Sequence, residues 1–241
     1  MAISLSVLMP ALNEAKNIEG AVRGVLGIMA TLGIDDFEIL VLTCLDKNGE
    51  NDGTVDIVRR LSEVEPRVKS IHVAGYQRLG EKFRNGVLAA AKEYVVMIPG
   101  DNENDPQSFI EILGRVGQAD MILSYTVNPE ARPKHRRVIS WVYTHALNLL
   151  FGHRMKYYNG INVYRSADLR AALPKTDSFA YSAEIVLNLL RQKKTYVEVP
   201  VRVQGKAGPS KALRWDNLKK VVAAISRLWV DFRLKKDGKD A

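Results

Sequence analysis

Four short apolar runs, each followed by a stretch of different rhythm, constrain this chain more than any other feature. Residues 3–9, 37–42, 68–73 and 94–98 have the length and apolar content of buried strands. Between them, residues 15–32, 54–64 and 79–92 repeat apolar side chains at helical spacing, and Ile18, Val22, Val25, Leu26 and Met29 line one side of the first. Residues 106–116 read as a further helix, since Pro106 suits a first turn, and residues 120–124 as a fifth strand. Strands alternating with helices of ordinary length imply βαβ units, hence an α/β fold with a mainly parallel, Rossmann-like sheet and flanking helices.

Beyond the fifth strand the rhythm changes. The basic run Arg132-Pro133-Lys134-His135-Arg136-Arg137 leads into a helix with Val138, Ile139, Val142, Tyr143, Ala146, Leu149 and Leu150 as its apolar stripe. Residues 161–164 read as a short strand, 180–193 as a helix, and 195–203 as a strand interrupted at Pro200. A Gly/Lys-rich loop follows over residues 204–211. The chain closes in a basic amphipathic helix from residue 213 to about 236, whose apolar face holds Trp215, Leu218, Val221, Val222, Ile225, Leu228, Trp229 and Phe232.

The fourth strand ends abruptly in Pro99-Gly100-Asp101-Asn102-Glu103-Asn104-Asp105-Pro106, a turn with three acids. Open α/β sheets bind ligands at the C-terminal ends of their strands. Hard oxygen donors grouped there suit Mg²⁺ or Mn²⁺ carrying a phosphorylated substrate, with Asp101 and then Glu103 as ligands. An acidic turn that caps a helix is the rival reading, and Asp105, just before the helix proline, is the capping candidate. Asn13 and Glu14 follow the first strand, where a carboxylate can accept ribose hydroxyls; Asn13 would serve equally as a helix cap. Lys82 and Arg84, near a helix start, could meet phosphate or form a solvated basic face. Glu184 stands in an apolar stripe and needs a partner. Arg202, Lys206, Ser210 and Lys211 make a glycine-hinged basic loop able to close over phosphates, against the plain reading of an exposed loop.

The formal net charge of +8 favours anionic partners: nucleotide, phospholipid, polyprenyl phosphate or nucleic acid. Nucleic acid is the weakest of these, because the aromatics do not interleave with a basic sheet face. The lone Cys44 excludes an intramolecular disulfide and a zinc cluster, and a reducing cytoplasm is the expectation. No stretch has the apolar length of a spanning helix, and the first residues lack a secretory pattern. The four histidines lack metal-ligand spacing, and nothing resembles a Ser-His-Asp system or a P-loop.

Several segments now fall into one order. Ser6-Val7-Leu8-Met9-Pro10-Ala11-Leu12-Asn13-Glu14 resembles the hydrophobic run and P-x-x-N-E of family 2 glycosyltransferases. Asn51-Asp52-Gly53-Thr54 is similar to the D-G-T after their second strand, and Leu79 to Gly86 to their G-x-A-x-x-x-G helix start. The Pro99–Pro106 turn resembles their D-x-D-x-Q-x-x-P metal loop, with Pro99 in place of the first acid. Tyr158 to Asn162 resembles a later glycine turn, while Glu198-Val199-Pro200-Val201 and Gly208-Pro209-Ser210-Lys211 resemble elements of the dolichol-phosphate mannose synthase branch.

The resemblance implies an A-type glycosyltransferase fold, a nucleotide sugar (UDP- or GDP-linked) and a divalent metal. It implies Pro10, Asn13, Glu14, Lys82, Arg84, Asp101, Arg202, Lys206 and Ser210 as nucleotide-sugar contacts, with Asp46 as the base contact. It makes Asp101, Glu184 and Lys211 the catalytic candidates, with Asp101 and Glu103 on the metal. Residues 1–211 would form the catalytic domain, and 212–241 a C-terminal helix and tail. The implied reaction is inverting transfer of a sugar. A phosphate acceptor is already ionised and needs no strong base, so the absence of an E-D pair before the acceptor helix favours polyprenyl phosphate. A hydroxyl on a sugar or small metabolite remains the alternative, as does a degenerate, non-catalytic binder. The C-terminal helix suits an anionic membrane surface, placing the protein peripherally on the cytoplasmic face; packing on its own domain or in a homo-oligomer stays open.

Overall fold

The computed structural model describes residues 3–102, 105–203 and 215–237. Seven strands form one sheet: β1 (Ser4–Ala11), β2 (Asp36–Cys44), β3 (Val68–Val73), β4 (Tyr94–Met97), β5 (Met121–Thr126), β6 (Val163–Arg165) and β7 (Tyr196–Val201). Their order is β3-β2-β1-β4-β6-β5-β7. Only β6 runs antiparallel to its neighbours, β4 and β5; every other pairing is parallel.

Strand alternation divides the core into two layers. Leu5, Val7 and Met9 of β1, with Phe37, Ile39 and Val41 of β2, meet α1 (Ile18–Leu32), α2 (Thr54–Val64) and α4 (Pro106–Leu113). Leu8, Leu40 and Leu42 point the other way. They join α3 (Leu79–Ala89), α5 (Lys134–Phe151), α6 (Ser166–Ala171), α7 (Tyr181–Arg191) and α8 (Trp215–Asp237). A 3₁₀ turn over Pro129–Ala131 precedes α5.

A polar knot closes the N-terminal edge of the sheet. Glu38 is almost wholly buried and accepts from Ser6 Oγ at 2.7 Å, Ala91 N at 2.6 Å and Lys69 Nζ at 2.6 Å. Burial pushes its carboxyl up, but these donors, Lys69 first, outweigh that and hold it below the usual glutamate range. The knot also explains why α3 ends at Ala89 and not at residue 92: the next amides, of Ala91 and Lys92, are taken by Glu38 and Ser6 Oγ.

Three expectations change. Pro200 does not interrupt β7, which runs unbroken as the outermost strand, where no second neighbour needs the missing N–H. Part of the apolar face of α8 turns inward: Leu228 is buried, Ile225 and Phe232 pack beside it, and the rings of Phe151 and Phe232 meet edge-on at 4.9 Å, while Val222 stays 62% exposed. The guanidinium of Arg191 covers Phe232 at 4.7 Å. The stripe foreseen on α5 is largely exposed; the helix is seated instead by Thr144 and Leu147.

Candidate active site

The C-terminal ends of β1 and β4 form the centre of the site. Gly100 N donates to the carbonyl of Pro10 at 3.1 Å, tying the turn after β4 to the end of β1. A Cβ at Gly100 would lie 2.8 Å from Ile18 Cδ1, so any larger residue there would make the Ile18 side chain shift. Asp101 follows, half-buried at the mouth of the crevice. Asn13 and Asn102, one on each side, hold left-handed backbone angles (φ 58° and 53°), which asparagine tolerates best after glycine.

Glu14 is built into this wall. Its N–H donates to Thr54 Oγ1 at 2.8 Å, and its side chain accepts from Asn17 Nδ2 at 2.8 Å. Its carbonyl receives Asn17 N and Ile18 N, which delays α1 to Ile18. Asp52 accepts from Ala15 N at 3.1 Å and from Thr54 N at 3.1 Å, locking the loop after β1 to the start of α2. Asp105 caps α4, accepting from Ser108 N and Oγ, both at 3.0 Å.

Other candidates take different places. Lys82 is no solvated helix face: it is buried and its Nζ donates to Ala11 O at 2.8 Å, which sets a positive charge at the end of β1. Asp46 Oδ1 accepts from Asn48 N at 2.8 Å and Glu50 N at 2.9 Å, so this carboxylate shapes its own turn beyond β2. Arg202 is exposed just past β7, its carbonyl receiving Ser108 Oγ at 2.9 Å. Glu103, Lys206, Ser210 and Lys211 lie outside the described residues.

Arg84 and Glu184 both grip the loop between α6 and α7. Arg84 donates to the carbonyls of Pro174 at 3.2 Å and Thr176 at 3.3 Å, and pairs with Asp177. Glu184, buried in the first turn of α7, accepts from Lys175 N at 2.9 Å through one oxygen and Thr176 N at 3.1 Å through the other. One side chain satisfies the loop's carbonyls, the other its amides. Gly80 completes the junction, since a Cβ there would sit 2.5 Å from Thr176 O.

A second lobe of the site opens on the far side of β6. A groove of about 670 Å³ is lined by Tyr125 and Thr126 from the end of β5, by Arg132, Lys134, Arg137, Val138, Trp141 and His145, and by Lys156 and Tyr157. Lys156 N donates to Glu198 Oε1 at 2.7 Å, and its ammonium lies 4.2 Å from the centre of the Tyr125 ring. Arg132 reaches Tyr157 Oη at 3.4 Å. Among the described residues, no salt bridge joins Arg132, Lys134, Arg137 or Lys156 to a carboxylate. The wall next to it needs Gly160, because a Cβ there would lie 2.2 Å from Ser124 O. Sequence reasoning missed this groove as a site. Its signal was the basic run at residues 132–137 entering an apolar helix, and the partners on β5 are too distant in sequence to suggest it.

Sheet order, the tight turn at the ends of β1 and β4 and the acid that follows it put a candidate ligand site at the C-terminal ends of these strands. The pattern of glycosyl transferase family 2 matches residues 6–214, and the chain belongs to that family. Glycosyltransferase AglD of Haloferax volcanii is 28% identical over 153 residues, a segment covering 61% of this chain and 24% of that relative. The chain therefore spans about a quarter of that protein's length. Among solved structures, glucosyl-3-phosphoglycerate synthase of M. tuberculosis superposes with a TM-score of 0.68 at 19% identity, covering 94% of this chain and 80% of the other. The same synthase has been crystallised with Mn²⁺, UDP and phosphoglyceric acid (TM-score 0.67, 17% identity, covering 94% and 78%). These similarities establish the A-type glycosyltransferase fold.

Proposed function

We propose that this glycosyltransferase moves a sugar, with inversion, from a UDP- or GDP-linked donor to polyprenyl phosphate. The observation that carries the reading is the groove beyond β6, where four cations without carboxylate partners among the described residues edge a largely apolar cleft. An anionic head on a greasy chain matches both properties. The synthase whose fold is shared was crystallised with UDP, Mn²⁺ and phosphoglyceric acid, an anion that such a fold can hold beside a nucleotide.

The donor half fits a divalent cation in the manner of phosphate-bound Mg²⁺: one or two protein carboxylates, the remaining oxygens coming from substrate. Asp101 would hold Mg²⁺ or Mn²⁺; Glu103 would be the second ligand. When bound, the cation neutralises charge on the leaving diphosphate. Lys82, with its charge at the end of β1, adds positive potential beneath the crevice. Glu14 and Asn13 line the ribose side. Arg132, Lys134, Arg137 and Lys156 hold the acceptor phosphate, whose oxygen attacks the anomeric carbon as the sugar–diphosphate bond breaks and its electron pair leaves on the diphosphate. Alignment supplies most of the acceleration, since the nucleophile is already ionised.

A small acidic metabolite is the second reading, supported by the acceptor of the structurally similar synthase. A panel of UDP- and GDP-sugars with Mn²⁺, offered a short-chain polyprenyl phosphate or phosphoglyceric acid, separates the two. A polyprenyl phosphosugar product is expected. Product only on the metabolite, or metal-dependent donor binding without turnover, overturns the proposal.

A further inference from the structure

The 18-residue helix α5 presents an apolar surface on two sides. Leu147 is fully buried, as expected for the side facing the core. Yet Val138, Trp141, Val142 and Leu149, which helical spacing puts on the opposite side, are 60%, 61%, 51% and 86% exposed. Isolated exposed hydrophobics are ordinary, but a continuous strip marks an interaction surface.

The charges on the helix point to what covers the strip. Lys134, Arg136 and Arg137 occupy its first turn, where the helix dipole disfavours cations, so helix stability does not account for them. No acidic residue lies anywhere in Lys134–Phe151. A second copy packed strip to strip would bring these cations onto another helix that carries no acid of its own. A bilayer answers both features, with acyl boundary against the strip and anionic headgroups against the basic turn. Val138, Trp141 and His145 also line the groove, so the strip is continuous with the acceptor site.

We infer that the outer face of α5 docks on the surface of a bilayer containing anionic lipid, so that an acceptor tail leaving the groove passes directly into the membrane. The direction of the tail rests on the lipid-acceptor reading above; the docking is tested without any acceptor. The full chain is sedimented with vesicles of phosphatidylcholine plus phosphatidylglycerol, and with phosphatidylcholine alone. Binding is expected to the mixed vesicles and to fall as salt rises. The double variant Val142→Glu, Leu149→Glu, at two exposed positions outside the groove, should lose about tenfold or more in partitioning while keeping its unfolding temperature and its transfer to a water-soluble short-chain acceptor. Hydrogen exchange on the wild-type chain gives a second readout: residues 134–150 should slow on adding mixed vesicles. Wild-type protein that ignores vesicles, or equal binding by the double variant, overturns the inference. So does a wild-type dimer that the variant converts to monomer, because the strip is then a subunit interface. Vesicle binding without turnover on polyprenyl phosphate would sink the acceptor reading alone.

Discussion

Replacing Glu184 by glutamine tests whether that acid belongs to the chemistry or to the scaffold. In the wild type its two oxygens each take one backbone N–H, from Lys175 and Thr176. Hydrogen bonds to a charged group contribute about 1.5–3 kcal/mol each. Glutamine keeps one acceptor oxygen but turns an NH₂ toward the second amide, leaving a buried donor facing a donor at a cost of about 1–3 kcal/mol. Loss of negative charge from the first turn of α7 removes a further ~0.3–1 kcal/mol. The sum is a destabilisation of about 1–4 kcal/mol, and at about 2–4 °C per kcal/mol for a chain of this size the Tm should fall by about 3–16 °C. Urea unfolding should show a lower midpoint at unchanged slope. Transfer measured well below both melting temperatures should keep kcat within about threefold, whereas loss of a general acid or base costs about 10²–10⁴-fold. A variant with unchanged Tm and a hundredfold lower kcat would refute the scaffold argument. Combining it with Arg84→Met adds a check: two side chains holding one loop should couple by about 0.5–3 kcal/mol.

Three further outcomes follow from the geometry. Asp101→Ala should abolish the gain in nucleotide diphosphate affinity that Mn²⁺ gives, measured by titration calorimetry, and an unchanged metal dependence would remove Asp101 from the metal site. Gly160→Ala, with its Cβ forced to 2.2 Å from Ser124 O, should destabilise by about 1–3 kcal/mol and raise the acceptor KM more than the donor KM; an unaltered Tm would show that the loop has room to move. Glu38→Gln should cost about 2–3 kcal/mol at neutral pH. Because the folded carboxyl titrates below its ordinary value of 4.5, this stability is present above that value and lost as pH falls through the folded pKa. The gap between wild type and variant in urea midpoint should therefore close in acid; a gap that persists at low pH contradicts the assignment.

The parallel half of the fold was largely legible. The bounds of α2 and β3 match the sequence reading because sharp turn signals flank strongly periodic segments. The turn after β4 was legible too, since proline, glycine and acids in that order have few uses. α6 and the 3₁₀ turn before α5 were missed, being too short to develop a period. On α5 and α8 periodicity correctly announced an apolar face, but periodicity does not say what covers it. α8 turns its face inward onto Phe151, and α5 leaves its own outside. The hold of Arg84 on the loop at residues 174–177 was illegible for a different reason. Its partners stand some ninety residues away in the chain, and only the close approach of Gly80 to Thr176 brings them together.

The reversed strand β6 has a consequence for how such a protein can be inherited. Residues before β5 build the wall around the ends of β1 and β4, and those from β5 onward build the groove, so the donor and acceptor preferences proposed above would fall largely in consecutive blocks of the gene. The sheet joins the blocks through β6 alone, by the short ladder Tyr94–Arg165, Val95–Tyr164 and Val96–Val163. A crossover in the turn at residues 117–120 would exchange the second block whole and ask the new partner to match that ladder and the junctions across it, Arg84 with the loop at residues 174–177 and Ser108 with the carbonyl of Arg202. On that assignment, specificity for the two substrates would be open to reshuffling by recombination, and not only by point substitution.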